Sequence, residues 1–323
     1  MNKKASIYCI IICLAVGAFN TVSASDEDTT VTVARKKAVV DRNNLLTVQD
    51  GNVYINNENE NEVDYSDLCS VNEGTLLGIG GNILKDSYLS DEKYGGYGFR
   101  LMNERMKLIN RPKYNMSKQQ ILSVDLSSTM NGAQNANLLY AAVNYSYGMH
   151  YRFLPDPYFK ILVGGNIHGF LGTVYSTRNG NNPMTLHADI DLNLSVLAIY
   201  EFRVKRHRLA LRYQVETPFM GVLFSPDYDQ SYYEIFSLGN TSEIIKFASF
   251  HNKQALRNYL TLDFPISGWT VRAGYFGNYY VTSINGLNRT IISNNFMLGF
   301  VKEFVAFGGR EMRKRNLFQS AYY

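Results

Sequence analysis

Little in this chain could cross-link it covalently. Of its three cysteines, Cys9 and Cys13 lie in the first apolar stretch and only Cys69 follows. An exported mature chain with one cysteine forms no internal disulfide, so its stability must come from extensive burial or from a membrane. Long hydrophobic runs are also missing. Beyond the N-terminus no segment approaches about 18 uninterrupted apolar residues, which argues against a bundle of membrane-spanning helices. The signatures of common soluble enzymes are absent too: there is no Walker loop, no Gly-x-Ser-x-Gly elbow, no His-Glu-x-x-His and no paired-cysteine metal site. No cofactor, metal, catalytic residue or nucleic-acid partner is therefore expected from motifs. Against these absences stands an aromatic surplus, with 24 Tyr and 18 Phe beside a single Trp. Tyrosine in this quantity suits β-structure and boundaries between oil and water.

The first residues carry an export signal. Lys3 and Lys4 precede an apolar run from Ile7 to about Phe19, and Val22-Ser23-Ala24 supplies the small residues of a cleavage site. This is the layout of a secretory signal peptide cut after Ala24. Residues 25–72 are polar and include the run from Asn56 to Glu62. They read as a flexible periplasmic arm in which Thr30–Val33 could add a strand. Residues 73–323 read as the folded body.

That body alternates. From Leu186 to Val204 the even positions are Leu186, Ala188, Ile190, Leu192, Leu194, Val196, Ala198, Tyr200, Phe202 and Val204, while the odd ones include His187, Asp189, Asp191, Asn193, Ser195, Glu201 and Arg203. A period of two sustained this long is a strand with one greasy and one polar face. The same alternation recurs in 139–153, 159–171, 209–215, 256–264 and 269–281, and more weakly in 75–84, 94–108, 119–130, 242–252 and 289–305. Residues 100–109 have mixed spacing and could equally form a short helix. The expected fold is all-β: a transmembrane, antiparallel, up-and-down β-barrel of about 12 strands, the last near Arg315–Tyr323, with ten as the alternative. Turns at 154–157, 205–207 and 252–253 are assigned to the periplasmic side, and the segments at 176–183, 221–240 and 265–268 to the outer side. A soluble sandwich or lipocalin-like barrel binding a small ligand would alternate as well. Its outer face would be the polar one, whereas long Tyr-rich strands favour a membrane girdle.

Three of the five histidines, His150, His168 and His187, fall on polar faces. With a hairpin symmetric about Arg178, His168 would lie nearly opposite His187 with Asn166 beside Asp189. Two imidazoles with a carboxylate suit a metal or acid/base site, although small barrels also fill their interiors with hydrogen-bonded polar groups. Inward charges are expected at Asp189, Asp191, Glu201, Arg203, Arg208, Arg212, Glu216, Arg257, Asp263 and Arg272. They would act either as selectivity determinants of a narrow pore or as a salt-bridge plug, the plug being preferred. In the segment Phe224–Asn240, the aromatics Tyr228, Tyr232, Tyr233 and Phe236 form either a ligand platform or a lid over the mouth.

The segments Gly78–Leu89, Asn179–Pro183, Phe224–Asn240 and Asn295–Val301 resemble those of a family of uncharacterised Bacteroidota outer-membrane proteins. The resemblance spans roughly Gly74 to Val305 and consists of loop and turn signatures. It implies a barrel and an outer-membrane address and carries over no catalytic residue. The expected partners are outer-membrane lipid, lipopolysaccharide and the barrel-assembly machinery. The expected role is structural, surface-interacting or that of a narrow pore, with a lipid- or lipopolysaccharide-modifying enzyme as the alternative. Outer-membrane phospholipases place their histidine on the lipid-facing wall, whereas the histidines in clear strands here point inward, which counts against an acyl-hydrolase.

Overall fold

A computed structural model describes residues 46–49, 52–55 and 71–304, apart from 112–113, 157, 205–206, 229, 241–242 and 267–268. The signal peptide, the strand expected at Thr30–Val33 and the one expected at Arg315–Tyr323 lie outside these residues. Within the N-terminal arm, β1 (Leu46–Gln49) and β2 (Asn52–Ile55) form an antiparallel pair.

The body is built from long strands: β3 (Val71–Asp86), β4 (Ser90–Arg111), β5 (Tyr114–Asn131), β6 (Asn137–Asp156), β7 (Phe159–Ser176), β8 (Met184–Val204), β9 (His207–Phe224), β10 (Ile245–Ser249), β11 (Lys253–Ile266), β12 (Trp269–Ile284) and β13 (Leu287–Phe304). Each pairs antiparallel with its neighbours, and β13 returns to pair with β3 from Arg289↔Asp86 to Phe304↔Val71, which closes the cylinder. Closure gives each of the long strands a partner on both sides. The closing seam needs glycine at Gly80, where a Cβ would sit 1.8 Å from the Asn294 carbonyl oxygen. At the tip of the β12–β13 hairpin, Asn285 and Gly286 have φ of 55° and 72°, the left-handed geometry that an Asn-Gly turn supplies.

The barrel has ten staves, not twelve: β13 closes directly on β3, so no further stave stands between them, and the segment expected as a separate strand at 242–252 does not cross the wall. The five-residue β10 pairs with Met220–Phe224 at the end of β9, and β11 takes over the same edge lower down, at Ala210–Glu216. Between the two pairings the chain advances eight positions, from Ser249 to Arg257, where β9 advances four, from Glu216 to Met220. Asn252 ties the break together: its Oδ1 accepts from Ser249 N–H at 2.9 Å and its Nδ2 donates to the Phe247 carbonyl at 2.9 Å. The turn at 252–253 therefore lies at the same end as the loop between β9 and β10, and β11 ends and β12 begins at the opposite end. This reverses the sides assigned to both from sequence. Residues 100–109 are strand throughout.

Faces follow the alternation. Outward lie Ile190, Leu192, Leu194 and Val196 of β8, Val163, Ile167 and Leu171 of β7, and Phe296, Leu298 and Phe300 of β13, all exposed. Inward lie Asn193, Ser195, Asp189, Asp191, Arg212 and Arg272, all buried. A soluble barrel has the reverse polarity, so this is a barrel of outer-membrane type. At the end where β8 finishes and β9 starts, Tyr151, Phe153, Phe159, Tyr200 and Phe202 form an aromatic belt of edge-on and stacked pairs. One bulge interrupts the pattern. Leu192 pairs with Met220 and Asn193 with Pro218, which leaves Phe219 as an extra residue beside a proline that cannot donate to the ladder. The inward face of β9 thereby changes from even positions such as Gln214 to odd ones such as Leu223.

Candidate functional site: the barrel interior

The interior is filled in layers. Apolar clusters lie towards both ends: Met106, Leu108, Leu162, Leu197, Ile199 and Val301 near the aromatic belt, and Leu84, Leu89, Tyr94, Leu138, Phe170 and Val174 among others near the outer loops. Between them the buried side chains are largely polar. Glu104, wholly buried, is held by Arg212 at 2.8 and 3.2 Å, by Arg272 at 2.6 Å and by the Gln119 amide at 2.7 Å. Arg272 also grips Asp263 through two hydrogen bonds of 2.6 and 2.7 Å. A forked pair of this kind is the geometry in which a guanidinium holds a carboxylate best. From Gln119 the network runs through Gln214 to Ser195 and Glu216, and from Glu216 to Asn166 and Arg257. Arg100 pairs with Asp125 while its guanidinium lies 3.9 Å from the centre of the Phe276 ring. Lys160 pairs with Glu201.

Two of these links span the barrel. Around the ring β4 and β9 are five staves apart, as are β3 and β8. The Glu104–Arg212 pair and the Asp86–His187 contact, 2.7 Å from Oδ2 to Nε2, therefore join directly opposite walls. Thr185 donates to the same Asp86 oxygen at 2.8 Å. Small cavities lie among the described residues, including one of about 40 Å³ among Arg100, Asp125, Tyr140, Gln214, Glu216 and Arg257, one of about 20 Å³ beside His168, Asp191, Lys253 and Tyr280, and one of about 10 Å³ beside Asn82 and Ser293.

Of the residues singled out from sequence, Asn166, His168, His187 and Asp189 are all inward and buried, but the hairpin does not set His168 against His187. The register pairs His168 with Asp191, Asn166 with Asn193 and Gly172 with His187. The β7–β8 loop spans residues 177–183 and closes with Ser176 N–H donating to the Pro183 carbonyl at 2.7 Å, so its centre lies past Arg178. Shifting the partner of His168 by four residues keeps every face but moves His187 about 13 Å along the strand, at roughly 3.3 Å per residue. His187 accordingly joins Asp86 at the mouth. His168 joins Asp189 and Asp191 instead, with Lys253 bonded to the two carboxylates at 2.7 and 2.6 Å and the Tyr280 hydroxyl donating to Asp189 at 2.9 Å. His150 stays apart from both, bonded to Ser195 at 2.9 Å.

Among the expected inward charges, Arg203 and Arg208 are exposed at the strand ends, although Arg208 still lies 3.7 Å from Glu201. The others expected inward do point into the interior. Sequence reasoning missed Glu104, Arg100, Asp125 and Lys253. For Glu104 a signal existed, because Arg100, Met102, Glu104 and Met106 share a parity. It was obscured by the apolar residues that parity also carries into the cluster near the aromatic belt.

The loop between β9 and β10 packs across the end of the barrel as a lid, touching both Tyr88 and Leu186. Ser231 caps the single-turn helix α1 (Tyr232–Phe236) through a capping box with Glu234. Ile235 is buried beneath it, and the Tyr232 hydroxyl accepts Leu186 N–H at 2.8 Å while its ring meets Tyr88 edge-on. Burial pushes the Tyr232 phenol up to about 12. Tyr228, Tyr233 and Phe236 remain exposed on the outside of the lid.

Comparison with known proteins adds the following. A search of curated proteins finds no match. Among solved structures the chain is similar to the outer membrane protease OmpT from Escherichia coli (7% identity, TM-score 0.41, covering 73% of this chain and 97% of that one). It is also similar to the transport unit of the autotransporter AIDA-I from Escherichia coli (10% identity, TM-score 0.41, covering 85% and 97%). Residues 45–311 match one family model across both the β1–β2 pair and the barrel, and the chain belongs to that family, DUF3316, described as a protein of unknown function.

Proposed function

We propose that this protein is an outer-membrane barrel with a closed lumen, whose role is structural and surface-interacting and not that of a conducting pore. The observation that carries this reading is the pair of links between opposite walls: the Glu104–Arg212 ion pair, set between apolar clusters towards both ends, and the Asp86–His187 hydrogen bond at the mouth. A cavity of about 40 Å³ holds water but no solute, and a continuous aqueous path would have to cross the apolar layers. The membrane address rests on the apolar outer face and its aromatic belt, an arrangement that water would penalise and lipid rewards. In this reading the host is a diderm bacterium, in keeping with the Bacteroidota resemblance. Lipid and lipopolysaccharide surround the wall after insertion by the barrel-assembly machinery, and Tyr228, Tyr233 and Phe236 on the lid are the contact surface offered outward.

Purified protein refolded in detergent should migrate faster on a gel when unheated, fractionate with outer membranes, and give no unitary conductance steps in planar bilayers. Steady single-channel conductance from the wild-type chain would overturn the closed lumen. Recovery in the soluble periplasmic fraction without a gel shift would overturn the membrane reading.

A further inference from the structure

Most of the buried ionic groups satisfy one another, but the group around His168 does not. His168, 5% exposed, has no hydrogen-bond partner on either ring nitrogen. Lys253 and Tyr280 engage only the Oδ2 atoms of Asp189 and Asp191, so the Oδ1 atom of each carboxylate is likewise without a partner. Four orphaned polar atoms in one place is an anomaly, since buried polar groups are nearly always satisfied. A donor atom from each of the three residues lies within 4.8 Å of the others. The charge is unbalanced as well: two carboxylates face one ammonium, and the nearby Arg257 is paired with Glu216 at 3.4 Å.

We infer that His168, Asp189 and Asp191 form a binding site for a divalent transition metal of the zinc class. One imidazole and two carboxylates are donors that such ions accept, and three protein ligands leave a fourth tetrahedral position open. The cavity of about 20 Å³ bordered by His168 and Asp191 has room for the single water that would fill that position. His168 Nδ1 lies 3.8 Å from Asp191 Oδ2, and Lys253 and Tyr280 hold the Oδ2 atoms as outer partners of a metal site do, which leaves the two Oδ1 atoms free to ligate. The site goes beyond the closed-barrel reading and does not depend on whether the barrel conducts.

The test is to refold the full chain in detergent with Zn²⁺ or Co²⁺, or with a chelator, and to remove unbound metal. Metal per chain is then measured by mass spectrometry, and the visible absorption of the Co²⁺ form is recorded. About one equivalent per chain with the intense d–d bands of a four-coordinate site is expected. His168→Gln and Asp191→Asn, each first confirmed as folded by the gel shift, should weaken binding at least about tenfold. Lys253→Met keeps all three ligands and should still take up the equivalent at saturating metal, with a smaller loss of affinity than either ligand variant. Substoichiometric metal in the wild type, or His168→Gln binding as the wild type does, would overturn the site. Binding by Lys253→Met alone would also overturn it, because the ammonium would then be the resident cation.

Discussion

Glu104 shows what a single buried side chain contributes to this wall. Its carboxylate takes charged hydrogen bonds from guanidiniums on β9 and β12 and an amide bond from β5, so one residue of β4 joins three other staves. A buried ion pair is a weak source of net stability when compared with a well-packed apolar alternative, yet breaking one by removing a partner is costly. Glu104→Ala is expected to destabilise the folded barrel by about 3–5 kcal/mol, read as a lower urea midpoint for loss of the fast-migrating band. Glu104→Gln keeps the volume and should fall between the two. A midpoint unchanged in Glu104→Ala would mean that the network is ornamental to folding.

At the scale of the element, the lid and the broken stave decide how the outer end is finished. The chain leaves β9, turns through α1, adds β10 to the top of β9 and only then descends as β11. Tyr232 docks this excursion onto β8. Its phenol is raised from 10.0 to about 12, chiefly by burial, so the docked lid favours the neutral form. The stabilisation is complete below pH 10 and is lost as pH rises from about 10 to 12, where the undocked phenol ionises first. Limited proteolysis across that interval should show cleavage within 225–244 increasing with pH. Tyr232→Phe removes the titrating group, and the same alkaline step should disappear from its profile. If both proteins show the same rise, the lid is held by something other than this docking.

For the whole molecule the governing fact is the inverted polarity, greasy outside and charged inside. Leu194 lies outward at the middle of β8 and is 52% exposed. In water its replacement by arginine would change stability by no more than about 0.5 kcal/mol, as for an ordinary surface site. At the middle of a bilayer the same change costs about 2–4 kcal/mol. Leu194→Arg, assayed by reversible folding into phospholipid vesicles, is expected to show the larger cost. A difference under about 1 kcal/mol would place this band outside hydrocarbon.

Much of this architecture was already written locally. Side-chain direction in a strand depends only on odd or even position, so the faces of β6, β7, β8 and the first part of β9 could be read residue by residue, and with them the inward placement of His168, His187, Asp189 and Arg212. Parity, however, is blind to even-numbered shifts of register. The position of His187 relative to His168 depended on how the 177–183 loop closes, and the tertiary pairing moved it four residues to Asp86. Lys253 reads as a turn residue in the sequence because the alternation fails at the break after β10. Only the closed ring shows that this break lies at the outer end and puts an ammonium beside two aspartates. The number of staves has the same origin: a segment of strand-like composition becomes a stave only if it crosses the wall, and β10, five residues long, does not. The sequence determined which face each residue of the long strands presents, because that is a property of the backbone alone. The fold decided which residues meet, because that depends on register, loop closure and the curvature that brings β13 back to β3.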